Sequence, residues 1–328
     1  MTLPAALQNL RLPLIGSPLF IISRPELVIA QCKAGIVGCF PALNAREKDG
    51  ESLDAWLTQI AEELDRHNQA NPDRPAAPFA INQIVHRSNE RLDRDVEICA
   101  RHEVPIWITS LGARSDVYEA AQSGGGVVLH DVINDRFAHK AVEKGADGLV
   151  AVAAGAGGHA GTQSPLALIQ EIRSWFDGPL YLSGAIAQGD SLLAALAMGA
   201  DGGYAGSAFI ATEEANAAPG YKQMIVDHAA GDIVYTNLFT GVHGNYLKPS
   251  IAAAGMDPDS LEMSDPTRMN YGEGREKPKS WKDIWGAGQG IGAVGEVTST
   301  AALVDRLERE FHAAKARLDR TYASMNHR

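Results

Sequence analysis

One short segment, AAGAGGHAGT at residues 153–162, combines four glycines with a single histidine, His159. It follows the apolar run GLVAVAA and precedes a segment of helical character. Glycine lets a backbone approach a bound ring closely, and an imidazole with its ordinary pKa of about 6.5 can take or give a proton near neutral pH. The segment is therefore a candidate catalytic loop centred on His159. An ordinary surface loop is the structural alternative.

The same segment matches a dinucleotide-binding pattern, G-x-G-x-x-A, over residues 155–160. In nucleotide-binding folds this pattern opens the first β/α unit, and an acidic residue further on binds the ribose. Here the pattern opens the sixth unit, and the next predicted strand, PLYLSG, ends in Ser183 and Gly184 with no acid. The sequence therefore disfavours a dinucleotide site at this position.

Two more glycine-rich turns follow predicted strands, SGAIAQGD at 183–190 and GADGGYAGSAF at 199–209. Their small residues are Gly184, Ala185, Gly206 and Ser207. Small residues suit a phosphate held by backbone N–H groups, and the loops after strands seven and eight of a (β/α)8 barrel commonly bind one. Tight turns between strands and helices need glycine in any case, so the two turns count mainly because both lie in the expected places.

Several polar side chains are further candidates. Asn82, near the end of the third predicted strand, could hydrogen-bond a planar cofactor or substrate, or be buried and satisfied within the fold. For His130 and Asp131, at the end of the fifth, a structural hydrogen bond is favoured. In GVHGNYLKPS at 241–250, His243 and Tyr246 could reach over the site as substrate contacts, or belong to a solvated face.

Eight short runs predict β-strands, and helical segments separate them. The runs are continuously apolar rather than alternating, as in strands buried on both faces. They lie at 12–17, 36–42, 79–84, 106–112, 126–132, 148–154, 179–185 and 202–209. Eight β/α units in about 200 residues predict an α/β fold of the (β/α)8 TIM-barrel type. A doubly wound sheet of eight strands is the rival.

The regular alternation stops near residue 213. We expect a TIM barrel formed by residues 1–212 and 286–328, with a helical insertion or lid at 213–285 that contributes to the substrate pocket. The final segment, TSTAALVDRLEREFHAAKARLDRTYASM, predicts an amphipathic helix that packs back on the barrel.

Composition narrows the class of protein. The 328 residues are 45% apolar and carry a net charge of −11, and this dispersed negative charge argues against nucleic acid or an anionic membrane as partner. No apolar run is long enough to span a membrane. Three cysteines argue against a disulfide framework and suit a cytoplasmic protein. No metal-ligand spacing is present, so we expect no metal. A homo-oligomer is compatible with this composition, although no apolar stripe indicates an interface.

The order and spacing of several segments resemble the nitronate monooxygenase family, formerly called 2-nitropropane dioxygenases. The segments are LPLIGSPL, FAIN, GADGLVAVAAGAGGHAG, PLYLSGAIAQGDSLLAALAMGADGGYAGSAFIATEEA and WGAGQGIG. The resemblance extends from about residue 12 to 311 and is most specific over residues 145–214.

This resemblance implies a flavoprotein, an FMN-containing TIM-barrel oxidoreductase that oxidises small alkyl nitronates, or nitroalkanes, with dioxygen. It implies that His159 is the catalytic base or hydrogen-bond donor. It also implies a set of residues that bind FMN. These are Ser17, Pro18 and Leu19 against the flavin ring, Asn82, Gly158, the phosphate-binding Ser183, Gly184, Ala185, Gly206 and Ser207, and Gln289 of the C-terminal AGQ stretch.

Three positions depart from the residues usual in the family. Gly16 stands where Gln is usual, Gly184-Ala185 replaces Gly-Gly, and Gly206-Ser207 replaces Gly-Thr. The last two keep backbone donors and a hydroxyl, which preserves FMN binding. The first removes a side chain that the resemblance implies near the flavin, and it therefore bears on substrate identity.

Three alternatives stay open at this point. The resemblance also covers NAD(P)H-dependent reductases of quinones or enoyl thioesters on the same flavin barrel. A dehydrogenase of the inosine-monophosphate type would need a nucleophilic cysteine in the loop after strand six, where this chain has glycines and His159. A non-catalytic barrel that binds a phosphorylated ligand is an alternative of a different class.

Overall fold

The computed structural model describes residues 3–46, 52–262 and 284–325. Eight parallel strands form the main sheet. They are β1 (Leu14–Gly16), β2 (Gly38–Pro41), β3 (Phe79–Ile84), β4 (Ile106–Ser110), β5 (Val127–Val132), β6 (Gly148–Val152) and, after the short separate strand β7 (Gly158–His159), β8 (Leu180–Ser183) and β9 (Gly202–Ala205). All eight predicted strands are present.

The sheet closes into a barrel. Its order is β1-β9-β8-β6-β5-β4-β3-β2, and Ile15 of β1 forms a parallel bridge with Val37, just before β2. The Gly16 amide donates to the Val37 carbonyl at 2.8 Å across this seam. The predicted TIM barrel is therefore confirmed, and closure rules out the doubly wound rival, which has two open edges.

Helices follow the strands around the barrel. They are α1 (Pro25–Lys33), α2 (Leu53–Ala70), α3 (Leu92–Arg101), α4 (Ser115–Ser123), α5 (Asp135–Glu143), α6 (Pro165–Arg173), α7 (Gly189–Ala197), α8 (Ser207–Ile210), α9 (Pro219–Asp227), α10 (Lys248–Ala253) and α11 (Thr300–Met325). Side chains begin two of them: the Asn134 carbonyl oxygen accepts from the Phe137 amide at 3.0 Å, and the Ser52 hydroxyl accepts from the Ala55 amide at 3.0 Å. Such caps satisfy amides that a helix leaves unpaired.

Two apolar layers hold these elements together. The barrel interior is filled by side chains such as Ile15, Cys39, Tyr181 and Tyr204, and Leu7 from an N-terminal 3-10 turn packs against it. A larger layer lies between the outer faces of the strands and the helices. Cys39 is thus a core residue, in agreement with the predicted strand around it.

The segment 213–285 contains the expected helices, α9 and α10, and also two strands that the sequence did not predict. These are β10 (Ile233–Thr236) and β11 (Gly244–Leu247), which form an antiparallel sheet in the order β10-β11-β7. Each strand is four residues long, too short for apolar periodicity to distinguish it from a loop. Residues 263–283 of the expected insertion lie outside the described residues.

The C-terminal helix packs back on the barrel as predicted. Helix α11 buries Leu303 and Leu307, and Arg11, just before β1, binds Asp305 at 2.7 Å. A Cβ atom at Gly189 would lie 2.6 Å from the carbonyl carbon of Glu310, so glycine is required for the close approach of α7 and α11. Within the three described ranges, no helix has the length and apolarity needed to span a membrane.

Candidate active site

A cavity of about 640 Å³ opens at the carboxyl ends of the barrel strands, the end at which TIM-barrel enzymes carry their active sites. Most of the residues singled out from the sequence line it. They are Ser17, Pro18, Leu19, Asn82, Gly158, His159, Ser183, Gly184, Ala185, Gly206 and Ser207. Residues of the insertion complete the wall, among them Tyr221, Val242 and Trp285.

The insertion holds the histidine loop through backbone pairing. Strand β7 pairs with β11, so that His159 lies opposite Gly244 and Gly158 lies opposite Asn245. The side-chain amide of Asn245 donates to the carbonyl of Ala156 at 2.7 Å. The loop that follows β6 is therefore fixed at two levels, by a strand pair and by a buried side chain.

One side chain of the insertion orients the imidazole. The Nε2 atom of His159 lies 3.1 Å from Oγ1 of Thr240, and the Thr240 hydroxyl also donates to the carbonyl of Val242 at 3.0 Å. A hydroxyl has one hydrogen to donate, so Thr240 accepts from the imidazole. This assigns the hydrogen of the neutral ring to Nε2 and the lone pair to Nδ1.

The surroundings favour the neutral form of this imidazole. Burial lowers the pKa of His159 to about 4, because a charged ring would lose hydration that the protein does not replace. At neutral pH His159 is therefore an uncharged group, with a lone pair that can accept a proton and an N–H that donates to Thr240.

The two glycine-rich turns form the opposite wall. Gly184 has φ +150° and Ala185 has φ +55°, and a left-handed alanine is strained by about 1–3 kcal/mol unless its surroundings fix it. Among the described residues, the amides of Ala185 and Ile186 have no hydrogen-bond acceptor. The Ser207 hydroxyl accepts from the Gly288 amide at 2.8 Å. The two turns thus present backbone donors and a hydroxyl to the cavity.

A short hydrogen-bonded chain forms part of the cavity floor. The Asn82 amide nitrogen donates to the Ser110 hydroxyl at 2.8 Å, and this hydroxyl donates to Oδ2 of Asp131 at 2.6 Å. The other carboxyl oxygen, Oδ1, has no partner among the described residues. Burial raises the pKa of Asp131 to about 7, since an ionised carboxylate here lacks the partners that would stabilise its charge.

His130 and Asp131 do not act as one pair. Nδ1 of His130 lies 2.7 Å from the Thr109 hydroxyl and 2.9 Å from the Tyr118 hydroxyl. Its role is the structural hydrogen bonding that the sequence favoured. Burial lowers its pKa to about 4.

The expectation for Gly16 was wrong in its geometry. Gly16 does not line the cavity; its α-carbon faces helix α1, and a Cβ there would lie 2.6 Å from Cδ of Gln31. Side chains alternate between the two faces of a strand, so when Ile15 points into the barrel, position 16 points outward. The missing side chain therefore takes nothing from the cavity wall, and Gln31 fills its space.

Three predicted site residues lie behind the wall and not on it. Gln289 stands between Gly288 and Gly290, which do line the cavity, and its amide donates to the carbonyl of Gly155 at 2.9 Å. Tyr246 is fully buried in the insertion, on the far side of Thr240, whose hydroxyl lowers the pKa of the phenol against the effect of burial. The His243 ring stacks on Tyr235 at 5.1 Å between centroids.

Sequence reasoning missed the residues that orient the site. Thr240 and Asn245 lie in a segment without a strand signal, and Ser110 is a single hydroxyl at the end of a strand. No local pattern marks any of them. In the described ranges, no cluster of His, Cys, Asp and Glu could hold a metal ion.

Comparison with known proteins gives a consistent family. The profile of the nitronate monooxygenase family matches residues 5–310. A nitronate monooxygenase of Paraburkholderia phytofirmans is 26% identical, over 91% of this chain and 92% of that protein. A putative monooxygenase of Mycobacterium tuberculosis is 27% identical over 69% of this chain, and the match spans 64% of that protein's length.

Solved structures share the fold. FabK of Thermotoga maritima superposes with a TM-score of 0.75 at 22% identity, covering 96% of this chain and 97% of FabK. A nitroalkane oxidase from Streptomyces ansochromogenes gives a TM-score of 0.73 at 21% identity, covering 95% of this chain and 99% of that one. At such identities these two likenesses show the barrel architecture alone.

Proposed function

Because the chain belongs to the nitronate monooxygenase family and is an oxidoreductase, we propose that it oxidises alkyl nitronates with dioxygen, using flavin mononucleotide bound in the cavity. His159 is the group that acts on the substrate. The observation that carries this proposal is a neutral imidazole on the cavity wall, oriented by Thr240 and facing a cavity with phosphate-binding turns in its wall.

The residues present fit a flavin. A cavity of about 640 Å³ has the size of a site for a molecule of that class. The unpartnered amides of Ala185 and Ile186 are the donors that a phosphate requires, because anions bind where backbone N–H groups converge. Ser183, Gly184, Gly206 and Ser207 would complete this phosphate site.

The flavin ring would lie against Ser17, Pro18 and Leu19, beside Gly158. Both hydrogen bonds of Asn82 use its amide nitrogen, so its carbonyl oxygen can accept from a ring N–H. The buried hydroxyl of Tyr204 on the cavity wall, like Oδ1 of Asp131, has no partner among the described residues. Unsatisfied polar groups of this kind are costly unless a ligand pairs with them.

When bound, the flavin supplies the electron acceptor for the nitronate and passes the electrons to dioxygen. The protein supplies position and charge. With Nε2–H held by Thr240, Nδ1 of His159 is the atom that takes a proton or, once protonated, donates to a nitronate oxygen. A nitronate anion beside the ring raises the pKa of the imidazole, as any opposite charge does at short range.

The low pKa of His159 favours the nitronate over the neutral nitroalkane as substrate. General-base catalysis is most effective when the base titrates near the working pH, and an imidazole with a pKa of about 4 is a weak base for a carbon-bound hydrogen. A nitronate has already lost that proton. We therefore expect turnover of preformed nitronates to exceed turnover of the parent nitroalkanes.

The experiment is a visible spectrum of the purified protein, repeated under nitrogen after adding propionate 3-nitronate or NADH. Flavin bands that bleach with the nitronate and return with air are the expected result. His159→Asn should keep the flavin bands and lose about 10²- to 10⁴-fold in turnover. Bleaching by NADH alone would identify a reductase, and a protein that stays colourless after FMN is added would contradict flavin binding.

A further inference from the structure

Large apolar side chains surround the mouth of the cavity and are exposed. Phe20, Leu111, Ile133 and Phe137 line it, and they are 38%, 37%, 41% and 38% exposed respectively. Leu111 has φ +68°, a left-handed backbone that is uncommon for residues other than glycine. Contiguous exposed apolar surface beside a cavity is typical of a binding surface.

A second pocket of about 560 Å³ adjoins the cavity. The two share Ile133 and Phe137, so one continuous path leads from His159 across two apolar side chains into the second pocket. The other residues around this pocket are mostly polar. They are Asn134, Asp135, Arg136, Gly161, Thr162, Gln163, Glu171 and Tyr235.

The cations of this region have no acidic partner among the described residues. Arg136 contacts the Phe137 ring, with its guanidinium carbon 5.5 Å from the centroid. Lys140, four residues later on helix α5, lines the cavity. Residues spaced by four lie on one face of a helix, so both positive charges border the same path.

The acids of the second pocket are already engaged. Oδ1 of Asp135 accepts from the Trp175 indole at 2.7 Å, and Oε2 of Glu171 accepts from the Gln163 amide at 2.9 Å. These two negative charges disfavour a doubly charged ligand such as a phosphate monoester. The unpaired Arg136 and Lys140 favour a single negative charge.

From this arrangement we infer that the substrate is elongated: its reacting group lies in the cavity beside His159, an apolar chain crosses Ile133 and Phe137, and one carboxylate at the far end lies at the second pocket. The nature of the reacting group rests on the proposed function; the chain and the carboxylate rest on the two pockets alone. A short alkyl nitronate would leave the apolar rim in water.

The test compares three nitronates, those of 3-nitropropanoate, 8-nitrooctanoate and 1-nitrooctane. Each methylene removed from water contributes up to about fourfold, so we expect kcat/KM for 8-nitrooctanoate to exceed that for 3-nitropropanoate by at least about tenfold. It should also exceed that for 1-nitrooctane by about fivefold, the order of an exposed ion pair. Equal values for the three substrates would overturn the inference.

Two variants with matched controls locate the effect. Phe137→Ser should reduce the chain-length advantage by about fivefold, while Leu166→Ser, which removes an exposed apolar side chain outside both pockets, should not. Arg136→Gln should remove the advantage of the carboxylate and leave 1-nitrooctane unaffected, whereas Lys144→Gln should change neither. Identical behaviour of variant and control would contradict the assignment.

Calorimetric binding of octanoate and butanoate separates the two proposals. Octanoate should bind about tenfold or more tightly than butanoate, and Arg136→Gln should weaken octanoate by several-fold. If this holds and no nitronate is oxidised, the proposed function fails and the substrate shape stands. If nitronates are oxidised and neither binding nor turnover depends on chain length, the substrate shape fails and the proposed function stands.

Discussion

The Nε2 atom of His159 and the Oγ1 atom of Thr240 lie 3.1 Å apart although the two residues are separated by 81 positions in the chain. The first belongs to a loop of the barrel and the second to the segment between β10 and β11. The imidazole is therefore oriented by the insertion as well as by the strand that precedes it. Without the insertion, the loop would keep its glycines and lose the acceptor that selects its tautomer.

Replacing Thr240 with Val keeps the shape of the side chain and removes the acceptor. We expect kcat to fall about three- to tenfold, the worth of a neutral hydrogen bond, with KM and bound flavin little changed. Thr240→Ser should restore kcat, because it restores the hydroxyl. Thr58→Val, which removes an exposed hydroxyl from helix α2, is the control. Wild-type kcat in Thr240→Val would show that the barrel loop orients the ring unaided.

The lowered pKa of His159 predicts a pH dependence. Its imidazole should stay neutral down to about pH 4, whereas in the unfolded chain it titrates near its ordinary value of about 6.5. The unfolded state therefore binds more protons between these values, and stability falls as pH falls through that window. Denaturant unfolding should show a smaller loss from pH 7 to pH 5 in His159→Asn than in the wild type. NMR titration of the ring near pH 6.5 in the folded protein would contradict the burial.

Local signals were enough to predict the barrel. Continuous apolar runs marked all eight strands, and Asn134 was one of two residues named for the cap that it forms. The pairing of β7 with β11 could not be predicted, because four-residue strands such as GNYL have no distinctive period and their pairing joins distant parts of the chain. The glycine-rich turns revealed the cavity wall, and the residues that orient His159 left no trace in the local sequence.

The expectation for Gly16 failed for a different reason. Resemblance to a family identifies a position in the sequence, but the alternation of side chains along a strand decides which face that position occupies. Here the neighbouring Ile15 occupies the inner face. A shift of one residue in the assumed register is sufficient to exchange the cavity wall for the helix layer.

Asp131→Asn tests the carboxyl on the cavity floor. Burial raises the pKa of Asp131 to about 7, well above the ordinary value of about 3.9, so the folded state holds a proton that the unfolded state has lost. The stability of the wild type should therefore decline as pH rises from about 4 to 7 and level off above it.

In Asp131→Asn this decline should be smaller, because the amide does not ionise and its oxygen can still accept from Ser110. We expect the variant to be more stable than the wild type at pH 8 by about 1–3 kcal/mol, as measured by urea unfolding of protein saturated with FMN. Asp116→Asn, an exposed carboxylate on helix α4, controls for the loss of a surface charge. Parallel pH curves for the wild type and Asp131→Asn would mean that Asp131 is ionised in the fold.

Asn245→Ala tests the second attachment of the histidine loop. The variant loses the 2.7 Å hydrogen bond to Ala156 and leaves a buried carbonyl without its donor, which costs about 1–3 kcal/mol. Hydrogen exchange should accelerate in the peptide that carries residues 153–162, and kcat should fall with it. Asn71→Ala, which removes a side-chain bond at the exposed end of helix α2, should leave exchange in that peptide unchanged. Unchanged exchange in both variants would assign the loop's order to strand pairing alone.

Gly16→Gln places the side chain usual in the family at a position that Gln31 already fills. The new Cβ would lie 2.6 Å from Cδ of Gln31, and overpacking of this kind costs about 1–3 kcal/mol. Because the side-chain amide of Gln31 is buried without a partner among the described residues, its removal sacrifices no hydrogen bond there. Gly16→Gln combined with Gln31→Ala should therefore recover at least half of the lost stability in a double-mutant cycle, while flavin affinity stays constant throughout, since position 16 faces helix α1. Loss of flavin binding in Gly16→Gln at unchanged stability would return this position to the cavity wall.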